Sequence, residues 1–123
     1  MLPPGRAFHS LATYGNKMII FGGISNTILE DYYSFNTAVG TWLTPPTILG
    51  KFPSKKEKQS CVLFDMMLVF FGGYNCTPDF EYEIYYNEIT ALNIEHMKWI
   101  KEIKTEGKLP KGRFSHTASL IGS

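Results

Sequence analysis

The sequence predicts an all-β fold made of repeated four-stranded antiparallel sheets, and an internal repeat is the main evidence. Residues 3–9, with the sequence PPGRAFH, recur 107 positions later as PKGRFSH at 110–116. The glycine pair at 22–23 recurs 50 positions later at 72–73. Repeats with a period of about 50 residues are typical of solenoids and propellers. A series of short apolar runs between turn residues is the second observation, and it is typical of β-strands.

A weaker copy lies between the two clear ones and sets the unit boundaries. Pro53 follows Pro3 by 50 positions, and Trp99 follows Trp42 by 57. These offsets divide the chain into three units, which are residues 3–52, 53–109 and a truncated 110–123. We expect the third unit to contain only a first strand.

Each of the two longer units contains four predicted strands. Gly15-Asn16 separates the first two apolar runs, and such a pair suits the positive φ of a two-residue hairpin turn. The stretch 79–88 has glutamates at helical spacing but is crowded with aromatic residues, which suit a packed loop or strand. We therefore predict no helix. The predicted strands are 11–14, 17–21, 31–35 and 41–44, then 59–64, 67–71, 87–92 and 98–103.

The second strand of each unit is apolar on both sides of its pleat, as in MIIF at 18–21 and MMLVFF at 66–71. Both faces of such a strand must be covered, and sheets stacked face to face around an axis achieve this. This pattern favours propeller blades. The glycine pairs that follow the strands are not phosphate-binding loops, since neither leads into Gly-Lys-Ser/Thr or a spaced third glycine.

Taken in order along the chain, the repeated residues resemble the kelch repeat. The resemblance implies an incomplete kelch-type β-propeller of about two blades, in a family that uses its blades mainly to bind proteins. Lys56 and Gln59 depart from it, because they replace the Arg and His of the other copies. The residues that carry the resemblance are Pro3, Arg6, His9, Gly22, Gly23, Asp31, Asn36, Trp42, Gly72, Gly73, Asn93 and Trp99. We assign structural roles to Gly22, Gly23, Trp42, Gly72, Gly73 and Trp99.

Two blades and one strand do not close a propeller. A ring of six blades at this period needs about 300 residues, against 123 here. An open blade leaves an unpaired strand edge and an uncovered apolar face. We therefore expect a segment of a larger protein, whose open faces are covered by the remaining blades of the same parent chain or by other chains of a larger complex.

Composition narrows the functional classes. A formal charge of +1 gives no field that favours nucleic acid or an anionic membrane. No apolar run approaches the roughly 20 residues of a membrane helix. Cys61 and Cys76 form no disulfide framework, so we expect a reducing compartment and a cytoplasmic location. Asn75-Cys76-Thr77 fits the N-glycosylation pattern, with a plain loop as the competing interpretation.

Loop length predicts a recognition face. In an antiparallel meander, the connections after the second and fourth strands lie at one end, and here they are the long ones. Binding residues usually lie on such loops over a rigid scaffold. The loop at 74–86 is acidic and aromatic, which suits a basic partner segment. Alternatively, its rings pack back onto the blade while its acids pair with Lys55, Lys56 or Lys58. The predicted partner-binding residues of this loop are Tyr74, Asn75, Asp79, Phe80, Glu81, Tyr82 and Tyr85.

Arg6 and Arg113 begin equivalent strands and are further candidates for partner binding, as donors to a carboxylate in a central channel. Their recurrence also fits a structural hydrogen bond between blades. No catalytic residue, metal site or cofactor is predicted. The histidines lack metal-ligand spacing, and carboxylates that alternate along an exposed loop do not hold the fixed separation that glycoside chemistry requires.

The sequence therefore predicts a non-catalytic module that presents long loops to a protein or peptide. Two alternatives remain open. Because the kelch family often lies beside a catalytic or adaptor domain, the segment could target a phosphatase or a ubiquitin-ligase adaptor to its substrates. It could also serve as a structural part of a large assembly, which would be marked by extensive apolar contact on an open blade face.

Overall fold

A computed structural model describes residues 2–76 and 79–122 of the chain, and it confirms the all-β prediction. The first unit forms a four-stranded antiparallel sheet, called blade 1, with its strands in sequence order. Its strands are β1 (Ser10–Tyr14), β2 (Lys17–Ile24), β3 (Ile28–Asn36) and β4 (Thr41–Trp42). No helix occurs among the described residues.

The second unit forms an equivalent sheet, blade 2, and adds a short ribbon. Blade 2 has the strand order β10-β9-β6-β5, and β7 and β8 pair separately as an antiparallel ribbon between β6 and β9. The strands are β5 (Ser60–Phe64), β6 (Met67–Phe71), β7 (Tyr74–Cys76), β8 (Glu83–Tyr85), β9 (Ile89–Asn93) and β10 (Lys98–Trp99). The second unit, residues 53–109, is seven residues longer than the first, residues 3–52, and the extra residues lie in the connection that carries the ribbon.

Local turn chemistry places the hairpins. Asn36 Oδ1 accepts the backbone N–H of Ala38 at 2.9 Å, and 57 positions later Asn93 Oδ1 accepts that of Glu95 at 2.9 Å. Asn side chains favour turns because they form this bond two residues ahead. Gly40 then closes the first of these turns at φ +72°, a conformation that L-residues rarely adopt.

The two blades pack face to face. Alternate side chains of a strand point to opposite faces, so Phe21 of β2 meets blade 2 while Ile20 lies on the far side. The Phe21 ring lies 5.0 Å from Phe70 and 5.6 Å from Trp99, centroid to centroid. Complete burial of one such side chain stabilises the fold by about 1.5–3 kcal/mol. The shared core consists of Ile19, Phe21, Tyr32, Leu68, Phe70, Leu92 and Trp99.

The backbone repeats even where no strand forms. Phe8, Lys58 and Ser115, at the same place in the three units, all adopt left-handed φ values of 56°, 57° and 54°. His116 then inserts beside blade 2, with Nε2 2.8 Å from Ser60 Oγ and 3.0 Å from Phe71 O. The start of the third unit therefore docks on the second.

Residues 110–122 contain no strand, although we predicted the first strand of the third unit there. A strand is stabilised by hydrogen bonds to a neighbouring strand, and among the described residues none pairs with this segment. The boundaries of the three units remain a prediction.

The linker between the blades crosses to the outer edge of blade 2. Leu49 forms a parallel bridge with Lys98, in which its N–H donates to Met97 O at 2.8 Å and its carbonyl accepts from Trp99 N at 3.0 Å. Phe52 continues this contact, with its ring 5.9 Å from Trp99. We call residues 48–52 the strap, because they fasten the first unit to the outer strand of the second.

Candidate protein-binding face

The connections that follow the second and fourth strands of each unit lie at one end of the two blades. The one between β2 and β3, which was also predicted to be long, has only three residues, 25–27. The segments that lead into the first strands form backbone bridges there. Ala7 pairs with Ile24 at the end of β2, and Glu57 pairs with Tyr74 at the start of β7. These bridges hold the loops on backbone hydrogen bonds of 2.8–3.0 Å. The end of the molecule that was predicted to bind partners therefore has a rigid base.

The ribbon projects from this base. Tyr74 lies opposite Tyr85, and Cys76 opposite Glu83. On one side, Glu57 N donates to Tyr74 O at 3.0 Å, and on the other, Arg113 N donates to Tyr86 O at 3.0 Å. The ribbon is thus anchored to the second unit and to the start of the third.

The turn of the ribbon carries the most exposed rings. Phe80 is 79% exposed at φ +58°, and Tyr82 is 64% exposed. Asp79 Oδ1 accepts the backbone N–H of Glu81 at 3.0 Å, which orders this turn. Phe80 and Tyr82, which were predicted to bind a partner, are therefore presented to solvent on an ordered support.

At the base of the ribbon, by contrast, the rings pack together. Phe114 lies 5.0 Å from Tyr74 and 5.5 Å from Tyr85, and it is stacked on the latter. Glu83 accepts hydrogen bonds from the hydroxyls of Tyr74 and Tyr85. The hydrogen bond that the Tyr85 hydroxyl donates to Glu83 raises the pKa of Tyr85. Burial, together with Cys76 and Glu83, raises the pKa of Tyr74 to about 12. Both hydroxyls therefore remain protonated donors at neutral pH.

Lys58 extends this group of rings. Its Nζ lies 4.4 Å from the centroid of Phe8, 5.2 Å from Phe114 and 5.4 Å from Tyr74, within the range of cation–π attraction. We call Phe8, Tyr74 and Phe114 the ring cluster. The sequence analysis did not select Phe8 or Phe114, and it considered Lys58 only as a partner for the acids. The available signal was the repeat itself, because Phe8 and Lys58 occupy the position of Ser115 in their units and Phe114 directly precedes it.

Arg6 does not join this cluster. Its side chain is 5% exposed, pairs with Asp31 within blade 1 and donates to Gly22 O at 3.0 Å. Lys56 occupies the equivalent position in blade 2 and pairs with Glu88. Arg113 adjoins the ribbon through its backbone, while its exposed side chain donates from Nε to the nearby carbonyl of residue 111 at 3.1 Å.

The side chain of Asn75 is already occupied on both of its polar atoms. Nδ2 donates to Lys55 O at 2.9 Å, and Oδ1 accepts the N–H of Cys76 at 2.7 Å. Thr77, which completes the predicted acceptor pattern, lies outside the described residues. Lys55 pairs through Nζ with Glu30 at 3.8 Å.

A groove of about 890 Å³ lies between residues 50–54, at the end of the strap, and the segment 100–109 that follows β10. Ile89, Ile100 and Leu109 line it and are partly exposed. Within residues 2–76 and 79–122, no three metal-binding side chains come together. The same residues include no helix of the length and apolarity that crossing a membrane requires.

The repeated blades, their glycine pairs and the equivalent tryptophans agree with the comparison to known proteins. Residues 1–123 match the KLHDC2/KLHL20/DRC7 Kelch-repeats domain over the whole chain. The chain belongs to the kelch-repeat family. The resemblance found in the sequence is thereby confirmed, and kelch repeats generally mediate protein–protein interactions.

Several relatives share this domain. Human host cell factor 2 is 32% identical over 99% of the chain, which corresponds to 17% of that protein. Human kelch domain-containing protein 3 is 26% identical over the whole chain and 31% of its own length. The solved structure of YjhT superimposes with a TM-score of 0.67 at 20% identity, over 94% of this chain and 31% of that one. The chain thus spans less than a third of each of these proteins, and the YjhT match supports the kelch propeller fold.

Proposed function

We propose that this chain is a non-catalytic interaction module that binds a segment of a protein or peptide through its ribbon. The observation that carries the proposal is the ribbon turn, where Phe80 and Tyr82 are largely exposed on a support anchored at both sides. Rigid aromatic side chains dominate binding energy at protein interfaces because they bury a large area at a small cost in entropy.

The charges beside these rings define the partner further. Asp79, Glu81 and Glu83 alternate with the aromatic residues along the turn and β8. Carboxylates at the rim of an interface attract and orient a basic segment, while buried rings supply most of the affinity. We therefore propose a partner segment that carries Lys or Arg next to apolar side chains.

A displayed peptide library tests this proposal. Peptides enriched on the full chain are measured by fluorescence anisotropy against the double variant Phe80→Ala, Tyr82→Ala. We expect their affinity to fall by about 30-fold or more, since even one hot-spot ring contributes about 2 kcal/mol. Val39→Ala is the matched control, because Val39 is an exposed apolar residue in the opposite turn between β3 and β4. Equal binding by the double variant and the control would contradict the proposal.

Attachment to a larger protein is a second candidate role, supported by the outer faces of the blades. Leu11 and Ile89 lie on faces that turn away from the shared core, and both are exposed. The Rho GTPase-activating protein gacHH, 32% identical over 81% of this chain, is matched over only 6% of its length. Such a kelch segment could target a larger enzyme or adaptor. A structural role in a large assembly is tested by analytical sedimentation. This role predicts that the chain associates with itself or with further β-sheets through its outer faces, and that Leu11→Glu abolishes this association. Equal sedimentation of the variant and the wild type would contradict it.

A further inference from the structure

The ammonium group of Lys58 lies against aromatic rings, and its positive charge also acts on the carboxyl of the neighbouring Glu57. Its neighbours Lys55 and Lys56 pair with Glu30 and Glu88. Lys58 takes part in no ion pair among residues 2–76 and 79–122, and its Nζ lies 4.4–5.4 Å from the three rings of the ring cluster. This surface therefore already binds a cation, which the chain itself supplies.

The ring cluster is assembled from all three units and is open to solvent. Phe8 comes from the first, Tyr74 from the second and Phe114 from the third. Phe8 is 55% exposed, while Tyr74 and Phe114 are half-buried, and Tyr85, which stacks on Phe114, is 48% exposed. Several rings about 5 Å from one point form the arrangement that recognises ammonium and guanidinium groups. A side chain from another molecule can thus reach the same position.

We propose that the ring cluster is the pocket for one Lys or Arg side chain of the bound segment, and that Lys58 is an internal competitor for it. The inference rests on the proposed function, because it assigns the chemistry and regulation of the same face. Arginine is the better ligand, since its planar guanidinium stacks on aromatic rings and is less strongly hydrated than an ammonium.

The surroundings favour the exchange of one cation for another. Glu83 is fixed at the rim by the hydroxyls of Tyr74 and Tyr85. Lys58 itself has a left-handed backbone conformation at φ +57°, and its Nζ lies 4.4 Å from the centroid of Phe8. When an incoming cation replaces it, the cation–π contacts are kept and the Lys58 ammonium returns to water. Free protein and partner therefore compete for one pocket, and the competitor lowers the apparent affinity.

Titration calorimetry of the full chain with a synthetic peptide of alternating Arg and Gly tests this inference. We expect Lys58→Met to bind about 3- to 10-fold more tightly than the wild type, in keeping with the strength of partly desolvated cation–π contacts. Lys55→Met is the matched control, because it removes the same charge from the same loop outside the ring cluster. We expect it to change the affinity less than about 2-fold, as a screened surface charge does.

Phe114→Leu on the Lys58→Met background provides the second arm. We expect the gain in affinity to be lost, with circular dichroism confirming that the sheets remain folded. Equal gains from Lys58→Met and Lys55→Met would overturn the inference, because bulk charge would then explain them. An unchanged affinity in Lys58→Met would overturn it too. Either result leaves the proposed function standing as long as the ribbon double variant still loses its library-selected peptides.

Discussion

Trp42 and Trp99 occupy the same place in two units, and yet their surroundings differ. Trp99 is 4% exposed and has the rings of Phe21, Phe70 and Phe52 within 6 Å, the first and last of them from the first unit and its strap. Trp42 is half-buried, and among the described residues its ring contacts are with Tyr33 and Phe35 of its own blade. The repeat determines where a side chain lies, whereas the neighbouring sheet determines how much it stabilises.

The largest expected effect separates these two tryptophans. Trp99→Ala should lower the free energy of unfolding by about 3–5 kcal/mol, the usual cost of removing a large buried aromatic side chain. Trp42→Ala should cost about 1–2 kcal/mol, because part of its surface already faces water. Urea unfolding followed by circular dichroism measures both. Equal losses would mean that contact with the second sheet adds nothing.

The two buried cations give the next comparison. Arg6 contacts both oxygens of Asp31 and a backbone carbonyl, whereas Lys56 contacts one carboxylate oxygen of Glu88 and the carbonyl of Ser54. We expect Arg6→Ala to cost about 2 kcal/mol and Lys56→Ala about 1 kcal/mol, below the values for fully buried pairs because the remaining acids are partly exposed. Thermal unfolding at low and high salt checks the order, which a larger loss for Lys56→Ala would contradict.

Gln59 and His116 form a third equivalent pair, and here a substitution is expected to raise the free energy of unfolding. His116 Nε2 reaches the Ser60 hydroxyl and the Phe71 carbonyl, while Gln59 stands at the equivalent place beside blade 1 with its side-chain oxygen buried and unpaired. Gln59→His should copy the two bonds of His116 in place of the unpaired oxygen of Gln59. Because the Nδ1 of His116 is itself buried and unpaired, the gain in the free energy of unfolding should stay below about 1 kcal/mol. Denaturant unfolding measures it. A loss of stability would show that the two positions are not equivalent.

The smallest effect depends on pH. Burial raises the pKa of Glu57 above its ordinary value of 4.5, although Lys58 opposes the shift. A carboxyl with a raised folded-state pKa contributes its full stability below 4.5 and loses it as the pH rises through the raised value. Glu57→Gln stays neutral, so its urea midpoint should exceed that of the wild type at about pH 7 and match it near pH 4. An equal difference at both values would exclude this titration as the cause.

The strands were predictable because their signals are local. Alternation, apolar runs and turn residues placed all eight blade strands, with β3 starting at Ile28 instead of 31 and β10 ending at Trp99 instead of 103. β10 is shorter than predicted. The N–H of Ile100 still donates to Ala91 O at 2.9 Å, and the chain leaves the sheet after this residue. The sequence predicts a packed loop or a strand at 79–88, and β8 lies within this stretch.

The candidate site was predictable only in part. Composition selected Tyr74 and Tyr85, but the ring that brings them together, Phe114, comes from another unit. Contacts between units depend on how the sheets stack, and local patterns do not contain that information. One part of the packing alternative holds, since the basal rings pack back onto the blade. The other part does not hold for Lys55 and Lys56, whose ion pairs are with Glu30 and Glu88 and not with the acids of the loop. Phe80 and Tyr82 face solvent, as the binding alternative requires. The roles of the predicted partner-binding residues remain predictions.

The strap has a consequence for how such chains avoid sticking to one another. Leu49 forms backbone hydrogen bonds with Met97 and Trp99 along the outer side of β10. An unpaired strand edge at this place would pair with other chains and lead to aggregation. The strap belongs to the first unit, so one repeat covers the outer strand edge of the next. Gly107, 57 positions after Gly50, has φ +86° against +88°. The backbone conformation of the strap at Gly50 is therefore repeated at Gly107 in the second unit.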